Sequence, residues 1–313
     1  MVLAIELEGN MKDIMSQFVI DTLRENLVVV YAQIHQGGRQ VAEYQRLDAK
    51  TRLNMWSLSK GVVSCAAGIA LEEGLIALDE KIGDIFPEYM PSDPGPFLPQ
   101  VNIEHLLMMT CGLEKPLFFG DSPDRYTTED WIAHFFNASF AFKPGTRWLY
   151  SNFNTYMTSC AIERRAGQNL VEYLRHRLFA PLRIGNPDWT LCPKGHCHAA
   201  NGLYLTIDEL SRYGEMLKNF GRFEGQQIVP EAYMRRATSR LIENHGTMPW
   251  ENSGYGYQFL LNPEKGSFRS EGRLGQYCLA YPKQGTVITV MSLDNRFHRI
   301  GELILKDIVA QIL

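Results

Sequence analysis

The stretch WSLSKGVVSCAAG places Ser57 and Lys60 three residues apart at the start of an apolar run. If a helix begins at or just before Ser57, the two side chains share one face and can touch. The serine hydroxyl then sits at the positive end of that helix, where unpaired backbone N–H groups favour negative charge. A lysine whose pKa is lowered by burial can accept or steer the serine proton, which makes the serine a nucleophile. The same four residues also suit a capping serine beside a solvated lysine, so the pair needs partners from elsewhere in the chain.

Two further segments offer them. The stretch FKPGTRWLYSNF sets Tyr150, Ser151 and Asn152 in a loop entering a helix. A tyrosine close to a lysine can be held partly as phenolate and serve as a general base, and an asparagine amide can orient a substrate carbonyl or amide. Taken alone, Tyr150 equally fits an ordinary half-buried aromatic. Near the C-terminus, FRSEGRLG carries Gly272 and Gly275 inside a strand pattern, which marks the close approach of a ligand or another backbone.

These residues need elements to hold them. Apolar spacing predicts a helix over 11–27, strands over 28–33 and 39–44 around Gly37-Gly38, and a helix over 57–71 ended by Gly74. Helices follow over 103–109, 128–136, 153–165, 170–178, 207–220 and 230–237, then strands over 255–261, 267–281 and 286–293, and a last helix from about 300. An isolated hairpin is marginal, so the early and late strands are expected to join one antiparallel sheet covered by the terminal helices. The chain then reads as one α+β domain, 1–313. Its sheet lobe spans about 1–56 and 200–313, its mostly helical lobe about 57–199, and the site lies in the cleft between them. Loops 91–99 and 116–125 are expected to shape the pocket.

Composition narrows the function classes. With 313 residues, 45% hydrophobic and 21% charged, the chain can bury a large core. A net charge of -4 argues against nucleic acid or a polybasic membrane anchor as partner. No signal-peptide pattern opens the sequence and no apolar run is long enough to span a bilayer, so a cytoplasmic protein without membrane partner is expected. The six cysteines read as free, mostly buried thiols. Between Cys192 and His198 two thiols and two imidazoles fall within seven residues. Their spacing matches no zinc-finger or ribbon pattern, and no metal is expected.

Taken together, S-x-x-K at Ser57, Y-x-N at Tyr150 and the glycine-containing strand segment resemble the serine β-lactamase and penicillin-binding protein superfamily. The similarity is to the branch of class C β-lactamases, D-aminopeptidases and family VIII esterases. It extends to LDEKIGDIFP from Leu78, IEHLLMMTCGL from Ile103, FAPL from Phe179 and NGLYLTIDEL from Asn201, over roughly residues 12–313. The resemblance implies the β-lactamase/DD-peptidase-like fold, Ser57 as acylated nucleophile, Lys60 and Tyr150 as the proton-handling pair, and Asn152 as a substrate contact. It also implies an oxyanion hole from the backbone N–H groups of Ser57 and Arg273, with no metal or organic cofactor.

Departures from the family pattern are specific. Its third motif usually opens with lysine or histidine, whereas the register here gives Ser270, Glu271 and Gly272, expected to contact substrate together with Arg273. A cation that would meet a β-lactam or peptide carboxylate is absent from that register, and Glu271 brings the opposite charge. Strand alternation is expected to turn Arg269 and Arg273 away from the face of Ser270. Met109 and Cys111 stand where the family commonly has histidine and serine. The leading expectation is a hydrolase acting on a small ester or D-amino-acid peptide through an acyl-enzyme. The alternatives are a true β-lactamase or cell-wall peptidase, and a catalytically weak binding or assembly module. The substrate in the first two is a small ester, amide or β-lactam; oligomeric state is left open.

Overall fold

The computed structural model describes residues 2–118, 127–246 and 248–312. Of the expected pocket loop 116–125, positions 119–125 lie outside the described residues. Six antiparallel strands form the main sheet: β1 (Val29–Gln36), β2 (Arg39–Gln45), β3 (Leu260–Leu261), β4 (Phe268–Gly272), β5 (Gln276–Tyr281) and β6 (Thr286–Ser292). Their order across the sheet is β2-β1-β6-β5-β4-β3, so the N-terminal hairpin is zipped onto the C-terminal meander through β1 and β6. The single antiparallel sheet expected from the sequence is therefore present.

Helices α1 (Val2–Arg24), α2 (Ser59–Glu72), α3 (Asn152–Ala166), α4 (Ile207–Lys218) and α5 (Phe297–Leu303) organise the rest. Met11, Ile14, Met15 and Phe18 recur at helical spacing on α1 and pack with Ala32, Ile34, Ile288, Val290, Ile300 and Ile304 into one core. The opposite face of the sheet receives α4, as strand alternation requires: Gln33 points there, and its Oε1 accepts from Ser211 Oγ at 2.7 Å. A Thr206–Glu209 capping box starts α4. Ser151 caps the N-terminus of α3, and Gly167 in the left-handed conformation ends it. A second, larger core joins α2, α3 and α4 to the helical middle of the chain.

Several expected boundaries shift for physical reasons. The strand expected over 267–281 is two strands, because the chain reverses at Gly272–Gly275, with Leu274 at φ 66° and the Gly275 N–H donating to Gly272 O at 3.2 Å. Most of 255–261 is not strand, since the Gly256 N–H turns back to Phe259 O and the Tyr257 N–H donates to Ala237 O. A three-stranded sheet of Leu53–Asn54, Leu203–Leu205 and Asp188–Trp189 went unforeseen; its strands are too short to show a period. No helix among the described residues is long and apolar enough to cross a membrane.

Phe18 is fully buried between α1 and the sheet. Phe18→Ala is expected to cost about 3–5 kcal/mol of stability, read from urea unfolding. A loss under about 1 kcal/mol would show that α1 is not integral to this core.

Candidate active site

The segment that carries Ser57 is built before α2 begins. Leu53–Asn54 pairs with Leu203–Leu205, and Asn54 Oδ1 accepts from the N–H groups of Trp56 (2.8 Å) and Gly202 (3.2 Å). Those bonds hold Trp56 at φ 49°, a left-handed conformation costing about 1–2 kcal/mol for a residue with a Cβ. Ser57 therefore lies in a 3-10 turn, Trp56–Leu58, that runs into α2, and not in the first turn of the α-helix itself. In 3-10 geometry residues three apart eclipse. Lys60 Nζ accordingly sits 2.9 Å from Ser57 Oγ.

Lys60 is 1% exposed and donates to Ser57 Oγ, to Asn152 Oδ1 at 2.9 Å and to the Ala200 carbonyl at 3.0 Å. All three partners are neutral. Burial lowers its pKa to about 7, because removing an ammonium from water disfavours the charged form. An amine that is half neutral at pH 7 can take a proton from a hydroxyl.

Tyr150 sits beside this pair, with Lys60 Nζ 4.8 Å from the centre of its ring and its side chain hydrogen-bonded to Ser57. Burial raises the Tyr150 pKa well above the ordinary phenol value, the hydrogen bond with Ser57 lowers it in part, and nearby Glu271 adds a lesser upward push. Burial therefore opposes the phenolate form at Tyr150, whereas at Lys60 it favours the neutral amine. Asn152 opens α3, its Nδ2 donating to Phe118 O at 2.8 Å while Oδ1 accepts from Lys60. Both ends of its amide are thereby fixed.

The third motif faces the site differently from expectation. A cavity of about 510 Å³ is lined by Ser57, Tyr150, Asn152, Glu271, Gly272 and Arg273, with Trp56, Trp148, Leu260 and Phe297 as apolar walls. Ser270 is absent from this lining. It is 3% exposed and turned toward α2, where a Cβ built on Gly61 would lie 2.5 Å from its Oγ. Glu271 on β4 and Arg273 in the turn that follows it both reach the cavity, whereas Arg269 is fully buried beside Glu271 and does not line it. Arg273 therefore supplies a cation on the cavity wall, its guanidinium 5.7 Å from the centre of the Trp56 ring. Glu271 is not a bare charge either. Its Oε2 accepts from Arg269 Nε at 2.6 Å, and fully buried Arg269 also donates to Leu261 O and lies 4.5 Å from the Trp250 ring.

Other cavity residues carried no sequence signal. Asn244, His245, Glu251 and His298 line it, with His298 Nδ1 3.0 Å from Glu251 Oε1. The expected loop 91–99 contributes nothing to the lining, which is formed instead by 244–246, 251 and 297–298 among the described residues. Met109 and Cys111 are buried in the core; Met109 Sδ accepts from Asn154 Nδ2.

An antiparallel sheet with terminal helices on one face, and a serine–lysine pair at the mouth of a helix packed against the other, define a protein of the β-lactamase fold. The chain belongs to the Beta-lactamase family, whose model matches residues 17–309. An uncharacterized protein of Alkalihalophilus pseudofirmus is 22% identical over 279 residues, covering 79% of this chain and 75% of its own. The octameric penicillin-binding protein homologue from Pyrococcus abyssi superposes with a TM-score of 0.75 at 18% identity, over 96% of this chain and 77% of that one. EstCE1, a hydrolase with promiscuous acyltransferase activity, gives 0.77 at 15% identity (95% and 99% covered), and the D-amino acid amidase of Ochrobactrum anthropi SV3 gives 0.73 at 15% (96% and 99%). At these identities the superpositions establish a shared fold.

Gly272 is where β4 presses on the nucleophile turn: a Cβ there would lie 2.2 Å from Met55 O and 3.1 Å from Trp56 Cβ. Gly272→Ala is expected to destabilise the protein by about 1–3 kcal/mol, through displaced backbone. Chemical denaturation measures it, and an unchanged midpoint would contradict the contact.

Proposed function

We propose that this protein is a serine hydrolase that cleaves small esters or amides through an acyl-enzyme on Ser57. The observation that carries the reading is the 2.9 Å contact between Ser57 Oγ, at the wall of a cavity of substrate size, and a buried Lys60 whose partners among the described residues are all neutral. Lys60, as the neutral amine, takes the Ser57 hydroxyl proton as Oγ attacks the substrate carbonyl. Tyr150, a phenol bonded to Ser57, passes a proton to the departing alkoxide or amine, and Asn152 holds the acyl side. The backbone N–H groups of Ser57 and Arg273 stabilise the oxyanion. Water then releases the acid by the reverse proton path.

Arg273 favours a second reading of the acyl group. Since a cation does reach the cavity, a carboxylated β-lactam or a peptide C-terminus has a partner there, and Glu271 is offset by Arg269.

Intact mass after a fluorophosphonate probe is expected to show one adduct that Ser57→Ala lacks, with turnover of an activated ester abolished and the thermal melt unchanged. An unlabelled wild type would leave a binding or assembly module. Persistent turnover in Ser57→Ala would reject the nucleophile. Benzylpenicillin in the same assay separates the readings: an adduct supports carboxylate recognition by Arg273, while an unconsumed drug restricts the substrates to neutral esters and amides.

The pH profile follows from Lys60. Its amine is protonated below about pH 7 and free above. Ester kcat/KM is expected to rise about tenfold per pH unit below that point and to level off above it. A flat profile from pH 5 to 8 would remove Lys60 as the base.

A further inference from the structure

A second cavity, of about 330 Å³, opens where α3 meets the loop 192–198, and Cys160, Glu163 and His196 all line it. A sulfur, a carboxylate oxygen and a ring nitrogen from these three side chains lie within 4.8 Å of one another. Cys160 and Glu163 share a face of α3 at a spacing of three. His196 is delivered by a tight turn in which the Gly195 N–H donates to Cys192 O at 2.9 Å and the Cys192 N–H to His196 O at 2.8 Å. Glu163 is held in place: Oε1 accepts from the backbone N–H groups of Leu170 (3.0 Å) and Cys197 (3.2 Å), and Oε2 is 2.6 Å from His196 Nδ1.

We propose that Cys160, Glu163 and His196 form a binding site for a zinc ion, distinct from the cavity at Ser57. Thiolate, imidazole and carboxylate are the zinc donors, and three protein ligands leave a fourth position for a water from the cavity. Sulfur disfavours magnesium and calcium at such a set. Ligands of one tetrahedral zinc stand about 3.3–3.7 Å apart, so the Glu163–His196 pair opens by under about 1 Å to admit the ion. The thiolate and the carboxylate together balance the charge of Zn²⁺. On binding, the Cys160 thiol proton leaves to solvent, and neutral His196 ligates through Nδ1 with its proton on Nε2. The His196 side chain is 33% exposed, which gives the ion a way in.

The site has a consequence for the rest of the molecule. The loop that supplies His196 continues to Ala200, whose carbonyl accepts from Lys60. An ion joining His196 to α3 would fix that loop at both ends. Without an ion, the Glu163–His196 contact alone closes the loop on the helix, and Cys160 is one more buried thiol; the experiment distinguishes the two.

Reduced full-length protein, stripped with a chelator, is titrated with Co²⁺. One equivalent per chain is expected to bind and to give a near-ultraviolet thiolate-to-cobalt charge-transfer band that added Zn²⁺ abolishes. Cys160→Ser should remove the band, and His196→Gln should weaken Co²⁺ binding by at least ~10-fold. No band at millimolar Co²⁺, or a band untouched by both substitutions, overturns the proposal. If Cys160→Ser does not fold, His196→Gln decides by melting temperature: Zn²⁺ should raise that of the wild type and not that of the variant. Equal shifts in both, or none in either, overturn it. Ser57→Ala should bind Co²⁺ like the wild type, so the outcome is independent of the hydrolase reading.

Discussion

The desolvated amine of Lys60 is the constraint around which the site is arranged. It is buried among three neutral acceptors, the Ser57 hydroxyl, the Asn152 amide and the Ala200 carbonyl, the last two 92 and 140 residues away in the chain. A carboxylate in any of those places would hold the ammonium charged and remove its capacity to accept a proton. With neutral dipoles only, burial brings the pKa to about 7 while every N–H of the charged form still has a partner. Bringing those acceptors together requires the small sheet of Leu53–Asn54 and Leu203–Leu205, the capped start of α3, and the packing of α2 against α3.

The strand beside the nucleophile handles its charges by a different device. Arg269 and Glu271, two apart on β4, project on the same side and neutralise each other. Arg269 is fully buried and has further acceptors in Leu261 O and Asn262 Oδ1, so the pair is anchored from behind by the edge of the sheet. Glu271 nonetheless helps keep Tyr150 protonated, and Arg273 at the start of the turn adds a positive group to the cavity wall. The bare glycine between them lets the backbone reach Met55 O and Trp56.

Two regions of α3 have separate uses. Its N-terminal residue, Asn152, touches Lys60, while two turns further on Cys160 and Glu163 meet the loop 192–198. That loop and the Ser57–Lys60 segment are thus linked twice, through the helix and through Ala200.

How much could be read in advance depended on sequence distance. Ser57 and Lys60 are three apart, and any helical turn places them in contact, so their pairing was legible even though the turn proved to be 3-10. The antiparallel sheet and its covering helices followed from strand and helix periods, which are local. Parity along β4 was also legible, placing Arg269 on the side opposite Ser270, with Glu271. Which of the two faces meets the cavity was not, because that depends on α2 packing against Ser270 through Gly61, a contact across more than two hundred residues. The same holds for Cys192–His198, whose spacing alone matches no metal pattern, whereas folding adds Cys160 and Glu163 from a helix some thirty residues earlier. The sequence by itself determined most of the elements and the Ser57–Lys60 contact, since these rest on residues within a turn or strand of each other. Tertiary structure decided the burial of Lys60 and Tyr150, which residues of β4 reach the cavity and the meeting of Cys160, Glu163 and His196, because burial and long-range contact exist only once the chain has closed on itself.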